Sequence, residues 1–380
     1  MKKCRSVVYR HSNFWKMSHT VICTSAVGLG IYIPALLLRQ QLRQAGVEVS
    51  VEVLEDYYTS QMQRSHIAHA KAHHGSFTLA QMAHRMARDV QNCLDGEHLQ
   101  KLLQGWIADG CRHFIVWSGF WLPILERYRL LSGYLLKIDH CRIDAEISAS
   151  FRIFPHLRQQ GREIWLWHGE SGNLVHEIKV TGDSPLHFTQ RQKRLVIHGG
   201  GWGIGTYQQR AKELLSLDIS LDMVIHGQQE TQILRQQDCA YQLQQHWRAW
   251  HRDTQGELQF PPMNKLQHGF VTTCPQYCDH HTLYNVIRHA QAIISKPGGC
   301  SLIDSLAAAT PIILLEPYGY AEASNGAIWQ KLGFGITYAA WRASGYDVNI
   351  LTDLHNNLLN HQQRGNNYSQ MYAAELQEDN

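Results

Sequence analysis

Two glycine-rich loops, each set between a strand-like run and a helix-like run, constrain this chain more than any other feature. The first reads Gly199-Gly200-Gly201-Trp202-Gly203-Ile204-Gly205, after a β-rich run at 194–198 and before a helical pattern at 206–217. The second reads Lys296-Pro297-Gly298-Gly299-Cys300-Ser301, after a run at 292–295 and leading into a helical pattern at 301–309. Glycine lets the backbone take φ > 0 and approach a ligand closely. The helix that follows offers free N–H groups and the positive end of its dipole to an anion. Two such loops at the carboxyl ends of neighbouring parallel strands would face one crevice, and a diphosphate suits it. Either loop alone is equally compatible with a tight turn that binds nothing. Neither matches the dinucleotide fingerprint, and the absence of GxxxxGK[ST] argues against a P-loop NTPase.

The same alternation runs through the rest of the chain. Residues 19–25 (HTVICTS) read as a strand, 28–30 (GLG) as a turn, 32–45 as a helix closed by Gly46, and 47–54 as a second strand. The stretch 60–104 reads as mostly helical and polar, with further strands at 113–118 and 135–139. Past a polar, basic stretch at 181–194 the pattern restarts. It gives a strand at 223–226, a helix at 231–250, a strand at 266–271, a helix at 283–290 and a strand at 312–315. An α/β chain of two doubly wound, Rossmann-like domains in series accounts for this order. The 380 residues suffice for two such domains. The boundaries fall at 1–184, 185–350 and a C-terminal helical tail at 351–380.

Composition narrows the function classes. Lys+Arg 35 against Asp+Glu 32 gives a net charge of +3, too balanced to indicate nucleic acid. No apolar run approaches the ~20 residues of a membrane span. Nine cysteines without a CxxC pair suit reduced thiols and a cytoplasmic setting. The first sixteen residues are basic, lack the apolar stretch of a signal peptide, and leave Met17 as an alternative start. The 24 histidines raise the question of metal. His66, His69, His73 and His74 share a helical spacing but lack a completing Cys or acid, so the reading is a solvated face and no metal site. The ligand-rich run 274–281 reads as a variable loop. Trp106, Trp117, Trp121, Trp165 and Trp167 fit core packing or an apolar pocket.

Three polar residues beyond the second loop complete a set. Asp304 stands one turn into its helix, where a carboxylate accepts from vicinal hydroxyls or simply complements the helix dipole. Glu322 and Asn325 share a helical face, an acid and an amide suited to a polyol or to capping. The whole run SKPGGCSLIDSLAAATPIILLEPYGYAEASNG resembles the C-terminal signature of GT-B glycosyltransferases. It is similar to the branch of diacylglycerol glycosyltransferases (monogalactosyldiacylglycerol synthase) and the lipid-linked peptidoglycan N-acetylglucosaminyltransferase. GGGWGIGTYQQRAKELL, GDSPL and the HGF at 268–270 resemble further elements of that family. The match is good over roughly 180–335, weaker over 20–60 and faint between.

The resemblance implies two domains facing a cleft, the first binding an acceptor and the second a nucleotide-sugar, usually a UDP-sugar. It implies donor contacts from Gly200, Gly201 and Gly203 in one loop and Gly298, Gly299, Cys300 and Ser301 in the other. Asp304 stands where the family has a ribose-binding glutamate, Glu322 and Asn325 where it holds the donor sugar, and Phe270 and Val271 beside the base. Ala321 replaces the glutamine that precedes the family's glutamate. The implied reaction is an inverting displacement by a hydroxyl of an apolar or amphipathic acceptor, a lipid or a secondary metabolite, with no obligatory metal cofactor and peripheral membrane contact if the acceptor is a lipid. A general base is required. The family often has a histidine after the first glycine turn, but here that turn reads Gly28-Leu29-Gly30-Ile31-Tyr32. Asp139 and His140 are the candidates in its place, with His168 and Glu170 as a second option. The missing histidine also admits a catalytically impaired partner protein, and the fold admits a nucleotide-sugar epimerase.

Overall fold

The computed structural model describes residues 19–84, 88–361 and 366–378. The basic leader and Met17 lie outside them. Five strands build the first sheet: β1 (Thr20–Thr24), β2 (Val49–Val53), β3 (His113–Val116), β4 (Lys137–Arg142) and β5 (Arg162–Trp165), all parallel, in the order β2-β1-β3-β4-β5. β1 is buried at every position, as a central strand covered on both faces must be. A short hairpin, β6 (Trp167–His168) with β7 (Asn173–Leu174), follows the sheet.

The helices α1 (Tyr32–Gln44), α2 (Ser60–Gly75), α3 (Phe77–His84), α4 (Gly96–Asp109), α5 (Leu122–Ser132), α6 (Ala149–Arg152) and α7 (Pro155–Arg158) connect these strands. Their ends follow local chemistry. Asp95 caps α4 by accepting from the N–H groups of Glu97 and His98, and Gly110 closes it in the left-handed region.

The second sheet has eight strands: β8 (Gln192–Ile197), β9 (Leu221–Ile225), β10 (Cys239–Leu243), β11 (Met263–Gln267), β12 (Phe270–Thr273), β13 (Ala290–Ser295), β14 (Ile312–Leu314) and β15 (Gly335–Thr337). Their order is β12-β11-β10-β9-β8-β13-β14-β15, with β11 antiparallel to both of its neighbours. Around it lie α8 (Tyr207–Ser216), α9 (Thr282–His289), α10 (Gly299–Ala308), α11 (Tyr320–Lys331), α12 (Tyr338–Ala343) and α13 (Val348–His361). A last helix, α14 (Tyr368–Glu378), returns to the first half and packs against α1. One apolar cluster runs through both halves, from Ile22 and Leu36 to Leu302, Trp329 and Tyr368.

Two expected elements differ. The helix expected over 231–250 is a 3-10 turn (Gln228–Ile233) followed by β10. Cys239, Ala240 and Tyr241 are drawn into the sheet between β9 and β11, a tertiary pairing that outweighs helical pattern. The strand expected over 266–271 is a hairpin, because His268 and Gly269 both take positive φ (53° and 79°) and reverse the chain.

Candidate active site

The carboxyl ends of β1 and β4 in one half face those of β8 and β13 in the other across a cleft of about 510 Å³. The two halves touch at their glycine turns. The Gly201 N–H donates to the Gly28 carbonyl at 3.2 Å, and a Cβ on Gly201 would lie 2.3 Å from that oxygen. A Cβ on Gly299 would lie 2.6 Å from the Ile143 carbonyl. Glycine is required at both positions because the backbones of the two halves meet there.

The second-half wall of the cleft is built on β8, β13 and α10. The first i→i−4 bond of α10 runs from Leu302 to Gly298, so the N–H groups of Gly299, Cys300 and Ser301 precede the helical ladder at the cleft wall. No side chain caps this end. Lys296 leaves β13 beside it, its Nζ 2.7 Å from Glu322 Oε1, while Glu322 Oε2 accepts the Tyr318 N–H at 2.6 Å. His198 Nδ1 accepts the Gly200 N–H at 3.1 Å and so holds the first loop. Burial, reinforced by Lys296, pushes the His198 ring down to about 3, so it is neutral.

No protein-family model and no curated protein matches the sequence. Solved structures match its shape. MurG of Acinetobacter baumannii superposes with a TM-score of 0.54 at 13% identity, over 95% of this chain and 99% of that one. The Streptomyces sp. SF2575 glycosyltransferase SsfS6 gives 0.52 at 12%, over 95% and 99%. The glycosyltransferase VinC in complex with dTDP gives 0.53 at 9%, over 95% and 100%. The chain has the GT-B fold.

In this GT-B chain Gly200, Gly201, Gly298, Gly299, Cys300, Ser301, Asp304 and Glu322 all line the cleft. Gly203 stands behind the wall, where a Cβ would strike the His226 ring at 2.4 Å. Asp304 is 3% exposed, and its Oδ1 accepts from His281 Nε2 at 3.0 Å. His281, Cys300 and Asp304 bring their ligand atoms within 4.8 Å of one another, a possible metal set by residue type. The His281 tautomer opposes that use. Its Nδ1 accepts the Tyr284 N–H, which puts the ring proton on Nε2 and aims it at Asp304.

Asp139, His140, Phe270, Val271, Asn325 and His168 do not line the cleft as expected. Asp139 and His140 lie in the middle of β4, not at its end, and point to opposite faces. Asp139 accepts two hydrogen bonds from Arg162 (2.9 and 2.7 Å) and one from the Tyr368 hydroxyl (2.7 Å) under α14. His140 is fully buried against the Phe151 ring, and neither residue lines the cleft. Phe270 and Val271 are 74% and 61% exposed on the edge hairpin, and they too are absent from the cleft wall. Leu243, Pro261, Met263 and Leu283 supply the apolar wall near β10 and β11 instead.

Asn325 is fully buried, and its amide is saturated by other groups. Oδ1 accepts from Ala145 N–H (2.7 Å) and Trp167 Nε1–H (2.9 Å), and Nδ2 donates to Asp144 and to the Pro297 carbonyl, both at 2.9 Å. It joins the two halves and has no valence left for a sugar. His168 packs on Trp165 away from the cleft. Of the tryptophans, Trp117 lines the cleft while Trp106 and Trp121 are core.

Sequence reasoning missed three residues that the fold brings in. Asp144 follows β4 into the cleft, half-buried, and burial outweighs its hydrogen bond from Asn325 to push the carboxyl up to about 6, with Glu322 adding to the rise. Lys296 enters between the glycine loops. His73 reaches the cleft from α2, whose histidines divide: His69 is exposed as expected, His66 is buried, and His73 and His74 are half-buried. His66 packs against Trp202 and Trp250, and His74 Nδ1 bonds the Gly203 carbonyl at 2.9 Å. No helix among the described residues is long and apolar enough to cross a membrane.

Proposed function

We propose that the chain is an inverting glycosyltransferase that moves a sugar from a nucleoside-diphosphate donor to a hydroxyl of an apolar or amphipathic acceptor. The carrying observation is the cleft, in which two glycine loops and the uncapped start of α10 face a carboxylate from the opposite half. The diphosphate would lie against the N–H groups of Gly299, Cys300 and Ser301, where the helix dipole favours negative charge. Asp304, whose Oδ1 also accepts from His281, would accept from the ribose hydroxyls. The acceptor would enter along Leu29, Trp117, Phe120 and Phe151, which line the first-half wall. Asp144 is the proposed base, since it lines the cleft and burial pushes its carboxyl up to about 6. It takes the role that a histidine after Gly30 would have. Tyr32, near that position, is fully buried and donates its hydroxyl to the Gln259 carbonyl.

UDP is the first nucleotide to test, and dTDP the second because VinC is a neighbour in complex with it. Calorimetry should show binding of at least one, weakened in Asp304→Ala. If wild type binds neither, the reading fails. Incubation with UDP- and dTDP-sugars and a panel of apolar alcohols should give glycoside. A changed sugar without acceptor would indicate an epimerase, and binding without any turnover a partner protein.

A further inference from the structure

The charge on a departing nucleoside diphosphate needs a counter-charge, and the cleft offers few. Among the described residues that line it, only Arg142 and Lys296 carry a fixed positive charge. Arg142 is committed elsewhere. Its Nε and Nη2 bond Glu163, its guanidinium lies 3.5 Å over the Phe151 ring, and its Nη1 is sealed from solvent. Lys296 is differently placed. Its Nζ lies 3.9 Å from where a Cβ would stand on Gly200 and on Gly298, so the ammonium sits between the two glycine loops beside the start of α10. Its partner there is Glu322, and the pair is nearly buried, with side chains 11% and 13% exposed. Glu322 has a second anchor in the Tyr318 N–H. It would therefore stay in place if the lysine moved.

We infer that Lys296 neutralises the leaving diphosphate, and that a donor entering the cleft exchanges the Lys296–Glu322 ion pair for a Lys296–phosphate contact. The inference rests on the donor reading above. In the step itself the acceptor oxygen bonds to the anomeric carbon, and its proton passes to Asp144. The bond from that carbon to the phosphate oxygen breaks, and its electron pair stays on the oxygen. Lys296 keeps its proton and donates a hydrogen bond to the phosphate oxygens as they gain charge. In a site shielded from water such a charge-assisted bond is far stronger than in solution. Glu322, freed of the lysine, accepts from a hydroxyl of the sugar. A nucleoside monophosphate leaves the exchange incomplete, because the outer phosphate is the one that lies between the loops.

Calorimetry on the full chain with UDP, dTDP and the matching monophosphates tests this. Wild type should bind the diphosphate about 10- to 100-fold more tightly than the monophosphate. Lys296→Met should lose most of that preference with its monophosphate affinity unchanged, and Lys296→Arg should keep it. Glu322→Gln, which frees the lysine, should bind the diphosphate more tightly than wild type, a gain that a merely structural lysine would not produce. Wild-type preference persisting in Lys296→Met overturns the inference and leaves the donor cleft standing. If Lys296→Met fails to fold, Glu322→Gln decides, and unchanged or weaker diphosphate binding there overturns it. Absence of nucleotide binding in wild type instead removes the donor reading itself.

Discussion

Asp144 shows how a single carboxylate acquires a role from where the chain leaves its strand. β4 ends at Arg142, and two residues later the carboxylate faces the cleft, held by Asn325 Nδ2 at 2.9 Å. Asp144→Asn keeps an oxygen for that bond and removes only the base, so kcat should fall by about 10²–10⁴-fold while the fold persists. The pH dependence follows from the same carboxyl. The active form is ionised, so activity should be full well above about pH 6 and fall as pH drops through about 6, in a rate profile with a one-proton slope. Gly201 is governed by space alone. Gly201→Ala would put a methyl 2.3 Å from the Gly28 carbonyl and force the two turns apart. A loss of about 1–3 kcal/mol, read as a lowered Tm, and loss of turnover are expected.

At the level of elements, α2 is held against the second half by a small polar network. Burial alone would raise the Glu230 carboxyl, but His74, the Tyr207 hydroxyl and the N–H groups of His226 and Gly227 outweigh it and hold it down to about 2. Glu230 in turn raises His74, most through its hydrogen bond. A histidine raised in the folded state stabilises fully below its unfolded pKa of about 6.5 and loses that contribution as pH rises through the folded value. Hydrogen-exchange protection of Ser60–Gly75 should therefore weaken as pH rises above about 6.5, and His74→Ala should abolish the change. None of this shows in the helix itself. His66 and His74 look solvated in sequence because Trp202, Trp250 and Glu230 lie far along the chain. The same reason explains β10, whose strand state comes from β9 and β11 on either side and not from residues 231–250 alone.

For the whole molecule, the relation between the halves rests on buried polar contacts as well as on the shared apolar cluster. Asn325→Ala would leave the Ala145 N–H, the Trp167 N–H and the Pro297 carbonyl unpaired, at a cost of about 3 kcal/mol, measurable as a drop in Tm. An Asn325→Ala chain as stable as wild type would contradict that assignment. α14 adds a second tie, with the Tyr368 hydroxyl donating to Asp139 across 229 positions and Tyr372 bonding Thr20. That tie is why Asp139, an apparent base in sequence, is a structural anchor.

The sequence by itself determined the α/β alternation, the two glycine loops and the acid after the second, because each depends on neighbours within one turn or one strand–helix junction. Glu322, which lines the cleft, was reached through the family resemblance, since its helical spacing alone suits capping equally well. The tertiary structure decided which polar groups face that cleft. The pairing of Asn325 with residues about 180 positions earlier and the meeting of Asp144 and Lys296 in one cleft both depend on how the halves are apposed. Apposition is set by burial of apolar surface and by close glycine contacts, neither of which has a local signature.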